Sequence, residues 1–220
     1  LRRVPQRGDA AFTLVELSVV VVLMVVLAGI ALSAAGEATT QATQAVTRSS
    51  LVTVRDAIVG VGGARSSPCF WSDLGRLPRS TATTAGGVVY GLAELLDGRG
   101  LPPYDPATRR GWRGPYLLAP GARFGEPDLA AGLPPLLWQW PRYGHRDDLA
   151  VLDGHGRPLL LQVPDPDGDG VVTAEDERHA RLVSAGEDGV IQIPVASWYP
   201  SQASCGDDMV LYLRVADLRP

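Results

Sequence analysis

Residues 12–36 read FTLVELSVVVVLMVVLAGIALSAAG, and from Leu17 to Gly36 this stretch holds no Asp, Glu, Lys or Arg. A helix of that length measures about 30 Å, the thickness of a bilayer's hydrocarbon core, so the segment is long and apolar enough to span a membrane. Arg2, Arg3 and Arg7 precede it and the next basic residue is Arg48. That order keeps the N-terminus on the cytoplasmic side and puts the chain beyond Gly36 outside. A cleaved secretory signal has the same basic-then-apolar order, with Ala31, Ala34 and Ala35 as its small-residue cutting site. Against this reading stands Glu16, at the start of the apolar block. A carboxylate in mid-membrane costs about 2.5–3.5 kcal/mol on insertion scales, and an acid at such a place usually marks a functional pairing.

Beyond the membrane segment, residues 37–63 change from Val and Leu to Ala, Thr, Gln and Ser, with no Pro before Ile58. Leu51, Val54, Ile58 and Val61 recur at spacings of three and four, the stripe of a helix with one buried face. Gly60, Gly62 and Gly63 supply the stop, so one helix is expected from about Phe12 to about Val61. Residues 64–220 hold most of the chain's 18 Pro and 25 Gly, which excludes a helical bundle. Val88–Tyr90, Leu159–Val163, Val190–Ile193 and Met209–Leu213 read as strands between loop signals. The fold class is α+β: a long N-terminal helix packed on a small, mostly antiparallel sheet with long loops.

The net charge of -4 and pI near 5.4 provide no basic field for a phosphate backbone, and nucleic acid is not an expected partner. All 20 basic residues are Arg, a bias of the coding sequence and not a functional signal.

At Ala11-Phe12-Thr13-Leu14-Val15-Glu16 the chain resembles the type IV pilins and the pseudopilins of type II secretion. In those families a prepilin peptidase cuts before the Phe and N-methylates it, leaving the Glu as the fifth mature residue. The resemblance implies a leader over 1–11, processing between Ala11 and Phe12, a transmembrane and assembly helix over 12–36, its outer half over 37–63 and a periplasmic domain over 64–220. The residue before the cut is usually Gly in the family and is Ala11 here. The implied partners are prepilin peptidase, further copies of the chain, other pseudopilins and the inner-membrane secretion platform. The implied function is that of a filament subunit in the bacterial inner membrane, N-terminus cytoplasmic and C-terminal domain periplasmic, that pushes secreted proteins outward. The family's logic is electrostatic: the new amino group on Phe12 neutralises Glu16 of a neighbouring subunit. Two unit charges about 4 Å apart at intermediate dielectric attract by roughly 4 kcal/mol before desolvation, comparable to the cost of inserting the acid.

Further strings carry the resemblance along the chain to the major pseudopilin: Asp73–Pro78, Gly111–Leu117, Asp153–Leu159, Leu182–Gly189 and Asp207–Val210. Residues 80–110, 120–150 and 190–206 exceed the family's usual length, which leaves a major or a minor pseudopilin open. The alternatives are a type IV or DNA-uptake pilin-like subunit, and a membrane-tethered calcium-dependent binding protein that uses residues 12–36 only as an anchor.

Asp165-Pro166-Asp167-Gly168-Asp169-Gly170-Val171-Val172-Thr173-Ala174-Glu175-Asp176 has the spacing of an EF-hand loop. Asp165, Asp167, Asp169, the Val171 carbonyl, a water held by Thr173 and Asp176 would supply Ca²⁺ with hard oxygens, with Ala174 to Leu182 as the only flanking helix. The bland alternative is an acidic surface turn. By resemblance alone, a second Ca²⁺ site falls on Asp188 and the pair Asp207 and Asp208.

Cys69 and Cys205, the only cysteines, lie on the oxidising side, where a disulfide is expected; two separate buried thiols are the alternative. No nucleophile elbow, P-loop or zinc-protease motif occurs, and the expectation is that the chain is not an enzyme. His145 beside Asp147 and Asp148 reads as a solvated loop, and Trp138, Trp140 and Tyr143 read as strand core or, less readily, as a binding platform.

Overall fold

A computed structural model describes residues 14–61, 68–84, 87–118, 122–123 and 149–214. The processing residues Ala11 and Phe12, the aromatics Trp138, Trp140 and Tyr143, and the group His145, Asp147 and Asp148 lie outside the described residues.

The first helix, α1 (Leu14–Val59), runs unbroken for 46 residues. It ends two residues earlier than the apolar stripe predicts. Gly60 takes the left-handed conformation at φ 88° and its N–H returns to the Asp56 carbonyl, so Val61 leaves the stripe and is exposed. The chain divides within α1 into two compact units, 1–42 and 43–220.

In the first unit the described residues are helix alone. Its large apolar side chains are exposed, Leu14 by 84% and Leu32 by 75%, which is what a helix solvated by lipid requires and what a core helix of a soluble protein avoids. By length and composition it is the one described helix able to cross a membrane.

In the second unit the outer part of α1 buries Leu51, Val54 and Ile58 as the spacing predicts. After it come α2 (Phe70–Leu74), β1 (Ser80–Thr84), β2 (Gly87–Gly91), β3 (Ala122–Arg123), β4 (Leu149–Ala150), β5 (Leu160–Pro164), α3 (Ala174–Arg178), β6 (Arg181–Ser184) and β7 (Met209–Tyr212). Five strands form one antiparallel sheet in the order β1-β2-β5-β6-β7, and β3 pairs with β4 in a separate ribbon. The α+β layout with a long helix and a small antiparallel sheet is present.

Alternation along the strands sends Val88, Tyr90, Leu161, Val163 and Leu182 into the cluster shared with Leu51, Val54, Ile58, Phe70 and Leu95. Val89, Leu160 and Val183 face the other way and are covered in turn by Ala150, Ile193 and Cys205. Burial on both faces explains why β5 reads as a nearly continuous apolar run.

Three expectations are corrected. Val190–Ile193 is not a strand: Asp188 accepts the Val190 amide at 2.7 Å and Asp208 accepts those of Gln192 and Ile193, which commits those three amides to side chains and not to a ladder. The helix after the acidic loop stops at Arg178, because the chain must turn at His179 to enter β6. Cys69 and Cys205 are two free, buried thiols. Cys69 caps α2 with its Sγ accepting the Ser72 amide, whereas Cys205 packs with Val183 and Ile193 and donates to the Ser201 carbonyl.

Candidate functional site

Glu16 lies in the first turn of α1, where the helix macrodipole favours a negative charge, and its residue is exposed. An acid there, followed by a membrane-length apolar helix, is the chemical feature the N-terminal segment offers.

The acidic loop sits between β5 and α3. Asp165 continues directly from β5, is buried at 1% exposure, and its two oxygens accept the amides of Gly168 at 2.9 Å and Gly170 at 2.8 Å. Gly168 and Gly170 adopt φ of 70° and 75°, which allows the loop to double back on that carboxylate. Asp169 accepts the Val171 amide at 2.7 Å. One oxygen each of Asp165, Asp167 and Asp169 falls within a 4.8 Å span, close enough to hold one cation. Three carboxylates are a hard donor set, suited to Ca²⁺ or Mg²⁺ and not to a thiolate-seeking metal. The carboxyls of Asp165 and Asp167 share a hydrogen bond; it holds Asp165 below the usual range, with help from the Gly170 amide, and pushes Asp167 up.

The later loop positions are used otherwise. Thr173 and Asp176 form the N-terminal capping box of α3: each side chain accepts the other's backbone N–H, and the Thr173 hydroxyl donates to Asp176 at 2.6 Å. Asp176 is buried and also accepts from Trp198 Nε1 at 3.4 Å. In the described geometry a cation would be held by the Asp165, Asp167 and Asp169 trio, with Thr173 and Asp176 committed to the helix.

Asp188, Asp207 and Asp208 are brought to one end of the sheet, each turned toward backbone amides. Asp207 accepts from Glu187 and Asp188, and Asp208 accepts from Gln192 and Ile193 at 2.7 Å each through Oδ2. The other oxygen of Asp208 is buried without a partner among the described residues. Burial, aided by the charges of Asp207 and Asp188, pushes the Asp208 carboxyl up to about 6.

The strings that carry the pseudopilin resemblance meet in space. Asp73, buried in α2, pairs with Arg113 at 3.1 Å and accepts from the Tyr116 hydroxyl at 3.0 Å. Burial, with the Asp73 carboxylate beside it, pushes that phenol up to about 12. Asp153 accepts the amides of His155 and Arg157 and the Ser184 hydroxyl, while Arg157 donates to the carbonyls of Gly186 and Glu187. The turn from 153 to 157, the β6 exit and the Asp207 loop are thereby tied into one corner.

The sequence reading missed Arg181. It is fully buried and donates to Gln162 Oε1 at 3.0 Å and to the carbonyls of Ser197 and Pro194 at 2.8 and 2.7 Å. A cation inside an otherwise apolar strand, Arg181-Leu182-Val183, is the signal that would have found it.

Comparison with family models, with curated proteins and with solved structures gives no match.

Proposed function

We propose that the chain is the subunit of a pseudopilus-like filament of type II secretion. In this reading a prepilin peptidase cuts between Ala11 and Phe12 and methylates the new amino terminus. The chain sits in the bacterial inner membrane with its sheet domain on the periplasmic side, and polymerisation pushes secreted proteins outward. The observation that carries the reading is Glu16 in the first turn of a 46-residue helix that exposes every large apolar side chain of its membrane-length part. Such a helix has its apolar surface free for lipid and for neighbouring helices, and an acid at its head that a neighbour's amino terminus can neutralise. The role needs no catalytic residue from this chain. Glu16→Ala is expected to leave membrane insertion intact, read by fractionation, and to reduce filament formation by at least about tenfold. Normal filaments from Glu16→Ala, seen by electron microscopy and inter-subunit cross-linking, would contradict the proposal.

The acidic trio favours one addition, a structural Ca²⁺ in the loop between β5 and α3. For a dissociation constant of about 1 mM, 10 mM Ca²⁺ should raise the melting temperature by roughly 3–6 °C. Asp167→Ala should abolish the rise. Because the Asp167 carboxyl is pushed up by its hydrogen bond to Asp165, protons compete with the metal and the rise should shrink as the pH is lowered toward the carboxyl range. A calorimetric scan without any Ca²⁺-dependent shift at pH 7 would remove the metal from the account. As a membrane anchor alone, residues 12–36 with this loop would describe a tethered calcium-dependent binding protein, the reading to which an assembly-competent Glu16→Ala chain would point.

A further inference from the structure

We draw no further inference here: the strongest candidate, the surface cluster in which His179 at the end of α3 stacks on Trp198 and meets the exposed Tyr199 edge-on in the loop between β6 and β7, carries nothing because no feature of the structure shows what covers that ring.

Discussion

Gly154→Ala is expected to lower the melting temperature by roughly 5–15 °C, a loss of about 2–4 kcal/mol. A Cβ at Gly154 would stand 2.3 Å from the Thr43 carbonyl oxygen and 3.0 Å from Thr47 Oγ1. The nearest obstacle is helix backbone, which has no rotamer to yield. The same contact carries a hydrogen bond, because the Gly154 amide donates to Thr47 Oγ1 at 3.0 Å, and Thr47 is fully buried. Relief requires the turn from 153 to 157 to move off α1. That motion would pull on Asp153, whose carboxylate holds the Ser184 hydroxyl at 2.6 Å, and on Arg157, which holds the turn after β6. Gly156 is the control: its φ is 75° but nothing lies within 4 Å of a Cβ, so Gly156→Ala should cost only about 1 kcal/mol of backbone strain. Thermal melts followed by circular dichroism separate the two, and equal small effects would show that the turn does not seat on α1 as described.

Arg181→Leu is expected to cost about 3–5 kcal/mol, measured by urea unfolding. The guanidinium is fully buried on the face of the sheet away from α1, between Gln162 and the loop from Pro194 to Ser197. Burial lowers its pKa from the ordinary Arg value, but the group has no need to lose its proton while two carbonyls and an amide oxygen accept from it. Leu fills much of the volume and strands those three acceptors. Gln162 already has a buried Nε2 without a partner among the described residues, so its amide is held for the sake of Arg181. The double variant Arg181→Leu, Gln162→Leu should therefore recover about 1 kcal/mol or more relative to the sum of the single changes, the sign of a direct coupling. Additive losses would mean that the two side chains act separately.

The long helix was legible because two independent signals coincide on it: a charge-free run of membrane length, and then the Leu51, Val54 and Ile58 stripe. Strands β2, β5 and β7 were legible as apolar runs between Pro and Gly. Strand β1, Ser-Thr-Ala-Thr-Thr, was not, because it lies at the sheet's edge and carries β-branched but polar residues that also fit a loop. The segment Val190–Ile193 misled for the opposite reason. Ile191 and Ile193 do pack on the sheet while Val190 is exposed, but side-chain carboxylates take most of the segment's amides, and the competition between Asx-type bonding and a ladder is invisible in composition. Within the acidic loop the spacing of Asp165, Asp167 and Asp169 foretold their clustering. It did not foretell the capture of Asp176 by Thr173, because the same Thr-x-x-Asp string serves as a capping box as well as positions 9 and 12 of a calcium loop. The cysteine expectation rested on compartment alone and said nothing of distance, and each thiol belongs to a different packing environment.

The claim on which the functional account rests is that the apolar helix is kept, and that it begins at a free amino group near the depth of a neighbour's Glu16. Intact-mass and fragment-ion spectrometry of the chain purified from bacterial membranes reads that terminus directly. The account predicts a first residue of N-methylated Phe12. A chain that starts after Ala35, with the helix discarded, or one that still carries residues 1–11 in the presence of an active prepilin peptidase, would contradict it.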